Sequence, residues 1–177
     1  MTQAPLMDRI HITEDYDVPR VINGGWQLSA GHALERPLDL ADASRAFNRL
    51  IDMGFDTFDC ADIYTGVEDF FGGIIRERRK AGLRLPQIHT KFVPDLNDLA
   101  NVTPAYIENI ITRSLRRLGV ERLDAVQFHW WDYSVPGMVD VAGELVRLQE
   151  KGLIRLISTT NFNAVELRKL IDAGIPV

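Results

Sequence analysis

Four polar strand-end positions carry the chemistry that this sequence suggests. They are Asp59, Lys91, His129 and the pair Thr160 and Asn161, each closing a short apolar run, with separations of 32, 38 and 31 residues. Groups one strand–helix period apart on parallel strands come to neighbouring positions at one end of a sheet. Tyr64 follows Asp59 by five residues. Taken singly, Asp59 could cap a turn, Tyr64 could pack with its hydroxyl in water, and His129 could be a hydrogen-bonded core histidine. Lys91 is harder to place as structure alone, because a lysine inside a sheet strand needs an anion, and Asp59 on the preceding strand is the obvious one. A tyrosine beside such a lysine is a proton donor whose titration, near ~10 in water, is pulled toward neutrality by the cation. His129 could donate a hydrogen bond to a carbonyl oxygen becoming an alkoxide. This set protonates a carbonyl but holds no reductant, so a hydride has to come from a cofactor.

Strands are predicted over residues 19–28, 55–61, 87–93, 123–131 and 154–161, all brief apolar runs bounded by turn signals. Helices are predicted over 40–53, 68–81, 104–118, 138–151 and 164–173. Thr103 and Pro104 open the third, Asn163 and Glu166 form a capping box at the fifth, and Gly54, Gly82, Gly119, Gly152 and Gly174 close them. Strand–helix alternation of this kind predicts right-handed βαβ units around a parallel sheet, with 175–177 opening a sixth strand. Side-chain alternation predicts a second polar tier below the first, made of Thr57, His89, Gln127 and Ser158. The basic runs at 76–80 and at Arg113, Arg116 and Arg117 read as solvated helix faces. No G-x-G-x-x-G follows the first strand, only Asn23-Gly24-Gly25-Trp26, so a dinucleotide site of that type is not indicated. Four histidines, His11, His32, His89 and His129, and the single Cys60 give no metal-ligand spacing, so no metal is expected.

Composition bounds the rest. Over 177 residues the net charge is −5 and 46% of residues are hydrophobic, which suits a globular domain and argues against a nucleic-acid or anionic-membrane partner. One cysteine excludes an internal disulfide, and no basic, apolar leader or ~20-residue apolar span occurs, so a cytoplasmic location is expected.

These motifs resemble the aldo-keto reductases. The segment from Gly54 through Phe58-Asp59-Cys60-Ala61-Asp62-Ile63-Tyr64, continued by Gly66, Glu68 and Gly72, is similar to that family's signature around its catalytic Asp and Tyr. Thr90-Lys91 matches the lysine motif, Phe128-His129-Trp130 the histidine motif, and Lys151-Gly152-Leu153-Ile154-Arg155 through Thr160-Asn161-Phe162 the fifth-strand cofactor segment. Cys60 stands where Thr or Ser is common, and Ser158 and Thr160 replace the commoner Gly and Ser. The resemblance implies a (β/α)8 barrel of the TIM type and an NADP(H)-dependent carbonyl reductase, with NAD(H) left open. Tyr64 would be the general acid, Asp59 and Lys91 its tuning pair, and His129 the carbonyl-orienting residue. Asp59, Thr160, Asn161 and the Gly25-Trp26 turn would face the cofactor, and Trp26, Trp130 and Trp131 are substrate-pocket candidates.

A closed barrel takes ~250 residues, so the chain is expected to be one domain, residues 1–177, holding about five βα units and the start of a sixth strand. Cofactor contacts on the later strands, including those for a 2′-phosphate, would lie beyond Val177. An open sheet predicts self-association through exposed strand edges. Two further readings stay open: a non-catalytic barrel fragment with a binding or regulatory role, and Schiff-base chemistry at Lys91. The substrate class is a small carbonyl compound, whose identity would depend on the loops at 30–38, 94–102 and 133–137.

Overall fold

The computed structural model describes residues 7–30 and 38–177, so all but the ends of the 30–38 loop lies outside the described residues. The chain divides into two compact units, one of Met1–Cys60 with Tyr64–Ile88 and one of Ala61–Ile63 with His89–Val177. Five strands form a sheet in the order β3 (Asn23–Gly24), β4 (Thr57–Asp59), β5 (Gln87–Phe92), β6 (Leu123–Phe128) and β7 (Ile154–Thr159). The pairs β3–β4, β5–β6 and β6–β7 are parallel, as the strand–helix alternation predicts.

In the first unit a hairpin of β1 (Arg9–Thr13) and β2 (Tyr16–Pro19) precedes the sheet. It was not expected from sequence, because RIHIT alternates weakly and leaves Ile10 and Ile12 exposed. The hairpin is tied down by charge. Arg9 Nε lies 2.6 Å from Asp17 and its Nη1 2.8 Å from Asp56, a buried carboxylate that Arg84 also pairs. The Arg9 hydrogen bond holds the Asp17 carboxyl below the usual carboxylate range. Helices α1 (Leu40–Asp52) and α2 (Val67–Lys80) cover β4 through an aromatic cluster. Phe58 and Phe71 stack at 5.3 Å, and Phe47 meets both edge-on. Such ring pairs add ~0.5–1.5 kcal/mol each beyond the area they bury.

The second unit carries most of β5 with β6 and β7, packed by α3 (Pro104–Leu118), α4 (Met138–Glu150) and α5 (Ala164–Asp172). On β5 the burial alternates: Ile88, Thr90 and Phe92 are buried, while Gln87, His89 and Lys91 are half-buried. The predicted N-caps form, though at the fifth helix only the Asn163 half of the capping box does, the Glu166 carboxylate pairing with Lys169 instead. Thr103 Oγ1 accepts from the Tyr106 N–H at 3.2 Å and Asn163 Oδ1 from the Glu166 N–H at 2.9 Å. Gly119, at φ 69°, turns the chain out of α3, a conformation that disfavours any residue with a Cβ.

Three sequence expectations need correction. Of the first predicted strand, 19–28, only Asn23–Gly24 joins the sheet; Pro19 ends the hairpin and Trp26–Leu28 is a 3-10 turn. Residues 175–177 pair with no strand among the described residues, since the Ile175 N–H is taken by the Leu170 carbonyl and that of Val177 by Ile175 itself. The basic runs are not simply solvated. Arg78 is buried and donates to the Arg84 carbonyl at 2.6 Å, Asn48 Oδ1 at 2.8 Å and Asp52 at 2.7 Å. Arg113 and Arg117 reach Asp62, and Arg116 alone of its group is exposed.

Candidate functional site

In the first unit, parallel pairing sets Gly24 beside Asp59, and the Gly25 N–H donates to the Asp59 carbonyl at 2.7 Å. A Cβ on Gly25 would sit 2.9 Å from the Phe71 ring and 3.1 Å from that carbonyl, so glycine is required by close approach of the backbone. Trp26, next in the turn, is 46% exposed. Asp59 closes β4 half-buried, Cys60 is fully buried, and Tyr64 is half-buried just before the left-handed Gly66 that starts α2. Burial pushes the Tyr64 phenol above its ordinary value, and Asp59 and Cys60 add to the effect. The direction is opposite to the lowering that a neighbouring cation would give, and its causes are loss of water first and the acids of the same strand end second. Thr57 donates to Gln87 Oε1 at 2.7 Å, a partner that the alternation argument did not identify.

Asp62 belongs to the same Asp59–Tyr64 segment, and the motif implies no role for it. It lies in the second unit, its side chain 0% exposed. There Oδ1 accepts from the Val93 N–H at 3.2 Å, Oδ2 lies 3.4 Å from Arg113, and its carbonyl accepts from Arg117 at 3.0 Å. The signal was the four-residue spacing of Arg113 and Arg117, which puts both on one face of α3.

The remaining residues of the set belong to the second unit. Pairing aligns Lys91 with Gln127 and Gln127 with Ser158, so Lys91 shares a row with residues expected one tier below it. The stagger is the shear between neighbouring strands that a curved parallel sheet needs. His129 stands two residues beyond that row, its N–H donating to the Phe92 carbonyl at 3.1 Å. The His129 residue is 7% exposed, and its Nε2 is buried without a hydrogen-bond partner in the protein. Nδ1 lies 3.4 Å from the Thr160 carbonyl oxygen, and the Trp131 ring stands perpendicular to the imidazole at 4.3 Å.

The three tryptophans differ. Trp131 is 47% exposed and fixed by its Nε1–H donating to the Pro94 carbonyl at 2.7 Å. Trp130 is buried, donates to the Val135 carbonyl at 3.3 Å, and lines a cavity of about 210 Å³ with Leu99, Ile107 and Val141. At the exit of β7, Asn161 adopts a left-handed φ of 62°, and the Tyr133 hydroxyl donates to its carbonyl at 3.0 Å. The side chains of Thr160 and Asn161 make no hydrogen bond to the protein among the described residues, which leaves a hydroxyl and an amide available to a ligand. A carboxamide needs both a donor and an acceptor, and these two side chains supply both. Among the described residues no group of His, Cys, Asp or Glu could hold a metal ion, and no helix is long and apolar enough to cross a membrane.

Comparison with known proteins bears on what this arrangement serves. The family model described as the aldo/keto reductase family matches residues 20–177. A methylglyoxal reductase of Yersinia pestis is 29% identical over 174 residues, which cover 97% of this chain and 54% of that protein. A chloroplastic pyridoxal reductase of Arabidopsis thaliana is 29% identical over 86% of this chain and 42% of its own length. A solved glycerol dehydrogenase from Gluconobacter oxydans superposes with a TM-score of 0.73 at 27% identity, over 94% of this chain and 52% of its own. The chain thus spans about half the length of the curated relatives that it matches.

Proposed function

The chain belongs to the aldo/keto reductase family, and we propose that it carries the catalytic residues of an NADP(H)-dependent oxidoreductase that interconverts aldehydes or ketones with alcohols. The observation that carries this reading is the buried, unpartnered Nε2 of His129 at a strand end, beside the unengaged side chains of Thr160 and Asn161. When bound, the nicotinamide supplies the hydride. Thr160 and Asn161 hold its carboxamide, and the Gly25-Trp26 turn contributes main-chain and ring surface to the cofactor. Tyr64 gives its phenolic proton to the carbonyl oxygen. By the family's pattern Asp59 and Lys91 are the pair assigned to that phenol, and His129 is the residue assigned to the substrate oxygen. Trp26, Trp130 and Trp131 are the aromatic surfaces proposed for the substrate.

The phenol's raised titration keeps it protonated through neutral pH, as a proton donor must be. The relatives' names, a methylglyoxal reductase and a pyridoxal reductase among them, support small aldehydes as the first substrates to try. The test is NADPH consumption with methylglyoxal, followed by absorbance, alongside an NADPH titration read by tryptophan fluorescence. Turnover that Tyr64→Phe lowers by about 10²–10⁴-fold with NADPH affinity unchanged is the expected result. Failure of the chain to bind NADPH at all would overturn the reading.

A further inference from the structure

Between β4 and α2 the chain runs through residues 60–66 without helix or strand, so no repeating hydrogen-bond ladder fixes its path. Tyr64 stands in this run, and Asp62 is two residues ahead of it. The Asp62 side chain is 0% exposed, and its oxygens go to different elements. Oδ1 accepts from the Val93 N–H, just past β5, at 3.2 Å, and Oδ2 lies 3.4 Å from Arg113 Nη2 on α3. One turn further along α3, Arg117 Nη1 donates to the Asp62 carbonyl at 3.0 Å. A cavity of about 370 Å³ adjoins the segment, lined by Asp62, Ile63, Tyr106, Arg113 and Arg117, so packing alone leaves it room to shift. An acid is also a costly way to fill that place. A buried carboxylate loses its water, and an apolar side chain of similar size would serve stability as well or better. What the carboxylate adds is direction, because its bonds fix where the main chain passes.

We propose that Asp62, held by Val93, Arg113 and Arg117, is a positioning residue that sets the path of the chain into Tyr64 and so the placement of its phenol. The proposal rests on the reading of Tyr64 as the general acid. Arg113 and Arg117 then act on the proton donor through the chain that they hold. Loss of either tie lets the phenol swing toward water. That weakens the proton-transfer step, which needs the donor in place, more than it weakens substrate binding.

The test is tyrosine ionisation followed by ¹³Cζ NMR of the full chain, whose four tyrosines are Tyr16, Tyr64, Tyr106 and Tyr133. Tyr64 is assigned by its loss in Tyr64→Phe. Asp62→Asn removes a negative charge and Arg117→Met a positive one, so direct electrostatics would move the phenol's titration in opposite directions. Positioning moves it the same way in both. Burial is the first of the effects that hold the phenol up, so a phenol let out to water titrates lower, toward ~10. The expected result is a larger ionised share of Tyr64 at pH ~10 in both variants than in the wild type, with Tyr133 unmoved. A Tyr64 titration that stays or rises in Arg117→Met, or a shift that Tyr133 shares, would overturn the proposal. Should Asp62→Asn not fold, Arg117→Met decides alone, because a fall there opposes its own charge change. In a chain that turns over methylglyoxal, both variants are expected to lower kcat about tenfold with KM unchanged, and an unchanged kcat would also overturn the proposal. The spectra need neither cofactor nor substrate. A shifted Tyr64 in a chain without turnover would therefore count against the reductase reading alone, and an unshifted Tyr64 in an active chain against the positioning role alone.

Discussion

Tyr64 holds its proton harder than a free phenol does, because partial burial disfavours the phenolate and, second to that, Asp59 and Cys60 repel it. A folded-state value above the ordinary one means that the protonated, donating form persists through neutral pH and is lost only as pH rises past the usual tyrosine range near ~10. For the proposed reduction, the step that depends on this proton should be flat through neutrality and fall only at strongly alkaline pH. A pH profile of kcat/KM measures this, and a descending limb near neutrality that Tyr64→Phe removes would mean that a cation overrides the local acids. Asn161 makes a second residue-scale case. Its left-handed φ is tolerated by asparagine and steadied by the Tyr133 hydroxyl. Tyr133→Phe deletes that bond along with the hydroxyl's interaction with the Asn163 main chain, and NADPH affinity is expected to weaken about fivefold, equivalent to about 1 kcal/mol. Unchanged affinity in a fluorescence titration would separate Tyr133 from the cofactor segment.

Among the elements, helices were the more legible because their signals are local. Thr103 before Pro104, Asn163 three residues before Glu166, and the closing glycines act within one turn, and each cap forms where the spacing puts it. What could not be read were partners set by long-range packing. Nothing within α2 distinguishes Arg78 from Arg76 or Arg79, yet Arg78 alone of the three is buried, spanning Asn48, Asp52 and the Arg84 carbonyl. Arg78→Ala removes three charge-assisted bonds and is expected to cost about 3 kcal/mol in urea unfolding, with Arg78→Lys recovering less than half. A loss under 1 kcal/mol would contradict this account of how α1 and α2 are joined. The strand ends followed the same logic. The strand–helix period located Asp59, Lys91, His129 and Thr160, but the shear that aligns Lys91 with Gln127 is a property of the sheet.

At the scale of the whole molecule, β7 has β6 on one side and no strand on the other among the described residues. An unpaired edge of six residues is a template for another strand. We therefore expect association that increases with concentration in sedimentation velocity; a monodisperse monomer at high concentration would mean that the edge is covered. The central claim is that these residues serve hydride transfer to a carbonyl carbon. Incubating the full chain with NADPH deuterated at the transferable C4 position and methylglyoxal, then reading the product by mass spectrometry, tests it most directly. The account predicts an alcohol carrying one deuterium at its carbinol carbon, formed by the wild type and lost in Tyr64→Phe. Unlabelled alcohol, or substrate trapped on Lys91 by borohydride with no label transferred, would contradict it.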